Sequence, residues 1–261
     1  MKFDLSKIKF SNWDKHFKIK IPKKMSLDLA ELIGVMVGDG HVGIYSSPDG
    51  PWKQYQMEIT GNIIDEVHMD FVNGLIQKVF SINFHKNLRK EQNSVVLRKK
   101  SKAICLFYRE IVDIPNNKNS ISVPNCIKIS NLSIKAAFIR GLADADFCLT
   151  IKYKPNAYPV IQGGFKSQSL TEECSKILNE LGIKNYVRKE VQYYQKRDKT
   201  YITHRIYING FKRIKKYMEL IGFSNDNKTA KYIQALQERK DSKIKPNQII
   251  LKEKILEISE I

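Results

Sequence analysis

Four cysteines in 261 residues (Cys105, Cys126, Cys148, Cys174) include no C-x-x-C pair. That excludes a zinc ribbon and a disulfide scaffold, and the thiols are expected to be reduced. The five histidines (His16, His41, His68, His85, His204) show neither H-x-x-x-H nor H-x-E spacing, which excludes the zinc hydrolases and deaminases. Nor is there a P-D pair followed by E-x-K, or a histidine cluster suited to an HNH nuclease. Any metal must therefore be held by carboxylates. No apolar run reaches the ~18 residues of a spanning helix, and "MKFDLSKIKF" lacks both a signal core and the Arg-rich bias of a transit peptide. The expected site of action is intracellular, in a prokaryotic cytoplasm or an organelle. Acids are also scarce, 27 against 45 Lys and Arg, so the formal charge is +18. Such an excess selects polyanions, nucleic acid first and an anionic membrane surface as the alternative. A hydrophobic content of 42% is enough for a globular core.

What the sequence does have is an internal repeat. "LIGVMVGDG" (32–40) and "FIRGLADAD" (138–146) are Gly-spaced apolar runs that end on acids, and Gly34 to Gly141 and Asp39 to Asp146 are each separated by 107 positions. The elements after each run also repeat. Strand-like "HVGIYSS" and "KQYQMEITG" flank the turn "PDGP". A helix is predicted over 65–79, with Asp65 as N-cap and Val67, Phe71, Val72, Leu75, Ile76 and Val79 on one face. Strands "INFHKNLRK" and "SVVLRKK" follow, then a helix over 101–112. The second half repeats this order: helix 133–145, strands "CLTIKYK" and "YPVIQGGFK", a helix with Ser169 and Glu172 at capping-box spacing and Gly182 as its stop, strands "NYVRKEVQYYQ" and "TYITHRIYI", and a helix over 211–221. The expected division is a basic N-terminal extension (1–25), a first half (26–114), a linker (115–129), a second half (130–224) and a basic helical tail (225–261).

The strands carry much of the charge. Lys53, Gln54, Gln56, Glu58, His85, Arg89, Arg98, Lys152, Lys154, Gln162, Arg188, Lys189, Gln192, Arg197 and Arg205 mostly alternate with apolar residues. Each sheet should therefore have one buried and one wet face. Any antiparallel sheet has a polar wet face. On a chain this basic, the aggregate is suited to phosphates and base edges, so these residues are the candidate DNA contacts.

Gly34 and Gly38 lie on one helix face, and Gly141 and Ala145 hold the matching places. Small residues four apart let two helix backbones approach closely. Close approach would put Asp39 and Asp146 side by side beside two carbonyl-rich helix ends, an arrangement that repels itself unless a cation intervenes. Hard oxygen ligands point to Mg²⁺. A single such acid could equally be an ordinary helix end; two in matching places favour a site.

The two runs resemble the paired motifs of the LAGLIDADG homing endonucleases in their single-chain, two-repeat form. "SVPNCIKIS" and "SQSLTEECSKILNELGI" are similar to the family's flanking segments, and the likeness spans about Ser26 to Gly222. The resemblance implies an α+β fold of two pseudo-symmetric αββαββα halves, packed through the motif helices, with antiparallel sheets forming a DNA-binding saddle. It implies a site-specific endonuclease that cuts both strands across a minor groove and leaves 3′ overhangs, acting as a monomer on a long, near-asymmetric duplex target. Ca²⁺ would stand in for Mg²⁺ in binding, and Mn²⁺ in cleavage. Carried over residue by residue, Asp39 and Asp146 are the metal-binding acids, joined by the carbonyls of Gly38 and Ala145. Asp144 is a non-catalytic interface acid, and Lys100 and Lys166 are the basic catalytic candidates. The family's usual Gly after the second acid is replaced by Phe147, and a left-handed conformation there would displace the second site. Gly61 and Ser167 stand where the family often has Gln. Phe147 motivates the alternative reading, a non-cleaving RNA maturase bound to intron RNA or a DNA-binding regulator on the same fold. The chain has no Cys or Ser at its start and no His-Asn end, which points to an intron-encoded or free-standing gene rather than an intein.

Overall fold

The computed structural model describes residues 2–46, 53–153, 158–195 and 198–241. The turn 48–51, Lys154, Arg197 and the end of the tail lie outside the described residues. In chain order the elements are α1 (Asn12–His16), α2 (Leu27–Gly38), β1 (Gly40–Ser46), β2 (Lys53–Asn62), α3 (Glu66–Phe80), β3 (His85–Arg89), β4 (Ser94–Lys100) and α4 (Lys102–Leu106). The second half continues with α5 (Asn125–Lys128), α6 (Leu132–Asp146), β5 (Phe147–Lys152), β6 (Tyr158–Phe165), α7 (Gln168–Glu180), β7 (Tyr186–Tyr194), β8 (Lys199–Asn209), α8 (Phe211–Leu220) and α9 (Asp226–Asp241).

Two four-stranded antiparallel sheets result, ordered β1-β2-β4-β3 and β5-β6-β8-β7. The repeat read in the sequence is thus a repeat of topology. Ser26 starts α2 by accepting from the Leu29 N–H, and Asn131 starts α6 by accepting from the Ile134 N–H. These caps satisfy donors that the first helical turn leaves unpaired. The core is continuous across both halves, with Leu32, Ile33 and Met36 of α2 and Phe138, Ile139 and Leu142 of α6 fully enclosed.

Several local expectations are corrected. Asp65 makes no side-chain cap to α3 and instead accepts from Asn225 and Asn227. The buried face of α3 is Met69, Val72, Leu75, Ile76 and Phe80, while Val67 is 73% exposed and Phe71 is exposed. Burial of Met69 and Phe80 turns the helix away from the face read in the sequence. The cap of α7 is Ser167, which accepts from Leu170, and not Ser169. The helix read over 101–112 is one short α-helix running into a π-helical stretch, Phe107–Ile111. Gly182 does end its helix, at φ +70.

Candidate metal centre and nucleic-acid face

The motif helices touch through backbone. A methyl group placed on Gly34 would lie 2.2 Å from the Phe138 carbonyl oxygen, and one on Gly141 would lie 2.0 Å from that of Glu31. On Gly38 it would meet Ala145 Cβ at 2.4 Å and the Asp146 carboxylate at 3.0 Å. All four small residues thus sit at the seam, and the seam delivers Asp39 and Asp146 to one place.

The two acids resist ionising together. Burial, followed by the charge of Asp146, pushes Asp39 up to about 7, with Lys228 and Lys118 acting in opposition. Asp146 is pushed up to about 6 by burial, against Lys118 and Lys228. Asp146 is nevertheless exposed to solvent. Two desolvated carboxylates that repel each other gain from a bound cation.

Among the described residues, no group of three or more His, Cys, Asp or Glu is placed to hold a metal. Two carboxylates nevertheless fit Mg²⁺, which commonly keeps several waters and takes one or two carboxylates plus a substrate phosphate. The all-oxygen donor set agrees with that ion rather than with zinc.

Two lysines absent from the sequence-derived set complete the site. Lys118 Nζ donates to the carbonyls of Met36 (2.9 Å) and Gly38 (2.8 Å), at the C-terminal end of α2. Lys228 Nζ does the same at the end of α6, donating to the carbonyls of Ala143 (2.8 Å) and Asp144. Each cation opposes the negative pole of a motif helix. Burial pushes Lys118 down to about 8, against the attraction of Asp146 and Asp39. Lys228 is lowered as well, again by burial. Lys100 and Lys166 are exposed, and the cations that most affect the acids are Lys118 and Lys228. The Gly38 carbonyl accepts from Lys118, whereas Lys228 bonds the carbonyls of Ala143 and Asp144.

Sequence reading assigned Lys118 to the linker and Lys228 to the tail. The only available signal was their position after the last helix of each half, and spacing alone does not distinguish it from a solvated loop.

Asp144 holds the segment before α9. Its carboxylate accepts from the N–H groups of Ser224 (3.0 Å) and Asn225 (3.2 Å), as expected of an interface acid. Glu31, buried on α2, accepts from Arg140 of α6 and from Ser224 Oγ. Asp65 accepts from Asn225 Nδ2 at 2.9 Å. Acids from both halves thus fix the turn that presents Lys228.

Phe147 is not left-handed: its φ of −99 and ψ of 148 are extended, and it opens β5. The strain expected there is absent. In the first half Gly40 pairs with Ile59 and lies against Met36; in the second Phe147 pairs with Gly163. A methyl group on Gly163 would lie 2.2 Å from the Phe147 ring. Bulk has moved from one strand of the pair to the other, a volume-conserving exchange.

Register sorts the candidate DNA contacts by face. Gln54, Gln56, Glu58, Arg98 and His85 share the face turned away from the helices, as cross-strand pairing with Tyr45 and His41 requires. Arg89 keeps the same alternation. In the second sheet Lys152, Gln162, Arg188, Gln192 and Arg205 do likewise. Lys53 and Lys189 fall in the opposite register, with Met57 and Ile206 respectively, and are corrected to the helix side. Arg98 pairs with Glu58, and Arg205 with Glu190 at 2.9 Å, so each sheet holds one oriented guanidinium.

Residues 133–222 match a family model described as a LAGLIDADG-like domain. Among solved structures, a variant of I-SmaMI aligns with TM-score 0.56 at 11% identity, covering 85% of this chain and 95% of that one. The LAGLIDADG homing endonuclease I-LtrWI bound to target DNA gives 0.54 at 12%, covering 89% and 97%. I-DmoI in complex with DNA and Ca gives 0.51 at 21%, covering 75% and 88%. At these identities the likeness is one of fold. A curated relative, a glutamine–fructose-6-phosphate aminotransferase of Methanocaldococcus jannaschii, is 25% identical over 224 residues, 85% of this chain. The chain spans only 18% of that relative's length.

Proposed function

We propose that this chain, which has the two-repeat LAGLIDADG homing endonuclease fold and a LAGLIDADG-like domain over residues 133–222, is a site-specific, divalent-metal-dependent endonuclease acting on double-stranded DNA. The observation that carries the reading is the meeting of Asp39 and Asp146 at the ends of two backbone-packed helices, each end held by a lysine. I-LtrWI and I-DmoI are described with target DNA, and I-DmoI with Ca, Mn or Mg, which supports the substrate class and the use of a divalent ion.

Asp39 and Asp146 are the residues that would hold Mg²⁺, and when bound the ion supplies an activated water and charge neutralisation at the phosphodiester. The sheet faces bind and orient the duplex through Gln, Arg and Lys side chains. Lys118 and Lys228 stabilise the negative charge that builds on the phosphate oxygens. The non-cleaving alternative drew its support from Phe147, and the extended backbone there removes that support.

The test is incubation of a randomised duplex library with Mg²⁺, using wild type beside Asp39→Asn and Asp146→Asn. Discrete double-strand products with 3′ overhangs, lost in both variants while duplex binding persists, are expected. Intact DNA with wild type, despite tight binding, sinks the cleavage reading.

A further inference from the structure

A concavity of about 930 Å³ lies away from the acid pair. It lies where α1 packs against the ends of β2 and β4, and its lining includes Trp13, Phe17, Tyr55, Gln54 and four lysines, Lys53, Lys99, Lys100 and Lys102. We infer that this groove is a second nucleic-acid site, one that takes an unpaired DNA strand by stacking a base on Trp13 and seating its phosphates on the lysines.

The groove is built rather than incidental. Asp14 of α1 is fully buried; it accepts from Ser101 Oγ (2.6 Å) and from the Ala103 N–H (3.1 Å) at the start of α4. The same carboxylate closes a capping box with Ser11. These bonds fix the short helix, so its neighbour Trp13 is held in place although it is 67% exposed. The indole stacks on Phe17, with ring centres 5.5 Å apart and planes 14° from parallel. Lys99 Nζ lies 4.0 Å from the Phe17 ring centre, and Lys102 Nζ lies 5.6 Å from that of Tyr55. Two ammonium groups thus pack on rings, and the exposed indole stacks on the ring of one of these pairs.

The chemistry selects the occupant. The lining contains four lysines and no acid, since Asp14 is buried and occupied on Ser11, Ser101 and Ala103. An anion is required, and the indole calls for a planar ring. Every base offers such a ring and its phosphate supplies the anion; rings beside lysines are the pattern of sequence-tolerant single-strand binding. The groove wraps the end of the first sheet: Gln54 and Lys100 reach it from the wet face, while its aromatic part is on the other side. Tyr55, Lys53 and Lys99 are in register with Met57 and so lie on the helix side of the sheet, opposite Gln54, Gln56 and Arg98. DNA is favoured over RNA because the hydroxyls of Ser11 and Ser101 are already bonded within the protein, leaving few acceptors to recognise a 2′-hydroxyl.

The test uses the full chain in chelator, with binding of fluorescein-labelled dT12 followed by anisotropy beside a labelled 24-base-pair duplex. Wild type should bind dT12, and Trp13→Ala should weaken that binding about tenfold, in the range for loss of one stacked base. Trp13→Phe should restore most of it, and Lys99→Met combined with Lys102→Met should flatten its salt dependence. Duplex affinity should stay within about twofold in all variants, which separates this site from the saddle whether or not the protein cuts. Equal dT12 affinity in wild type and Trp13→Ala overturns the proposal. So does at least tenfold tighter binding of U12 than of dT12, which would assign the groove to RNA.

Discussion

Asp39 keeps its proton to about pH 7 in the folded chain, against an ordinary value of 3.8. In the unfolded chain it ionises earlier, so metal-free stability is greatest where both states are protonated and falls as pH rises from the carboxylate range through 7. Asp39→Asn removes that loss. In chelator, its melting temperature should exceed that of wild type by about 5 °C or more near pH 8, and the two should converge near pH 4. Parallel melting curves across that range would mean that the acid pair is not electrostatically strained. Adding Mg²⁺ should close the gap by stabilising wild type alone, through preferential binding to the folded state.

The seam between α2 and α6 is set by absent side chains. Gly141→Ala places a methyl 2.0 Å from the backbone oxygen of Glu31, and backbone does not move aside as a side-chain tip does. The expected loss is about 3 kcal/mol or more, read by urea unfolding; a loss under about 1 kcal/mol would show that the helices slide freely. Phe147→Gly tests the exchange of bulk between paired strands. It should empty the space beside Gly163 and lose about 3–5 kcal/mol, whereas a strained Phe147 would make the same change stabilising. The turn before α9 is the third element. Asn225 is buried and bonds to Asp65 and, through its N–H, to Asp144. Asn225→Ala should slow single-turnover cleavage about tenfold with duplex affinity unchanged, because Lys228 loses its position while the saddle does not change. Equal losses of affinity and rate would indicate general disruption instead.

Across the whole molecule, one chain supplies both acids and both sheets and carries a formal charge of +18. A monomer in sedimentation and a steep fall of duplex affinity with salt are the expected behaviour. A shallow salt slope would put recognition in base contacts alone. No helix among the described residues is long and apolar enough to cross a membrane.

The residue order by itself determined the repeat, the motif helices and the place of Asp39 and Asp146, because periodicity and small-residue spacing are local and occur twice. It also determined most of the wet sheet face, since strand alternation fixes which side chains share a face; Lys53 at the start of β2 and Lys189 on the edge strand β7 fall on the other face because exposure at a strand end or on an edge strand breaks the link between polarity and face. Only the tertiary structure decided which lysines meet the acids. Lys118 lies 80 residues from its partner Gly38, and Lys228 lies 85 from Ala143. Such contacts depend on where the chain returns after a whole half has folded, which no short pattern encodes. The same holds for Phe147: its backbone follows from the small Gly163 across the strand, a fact of pairing rather than of neighbouring sequence.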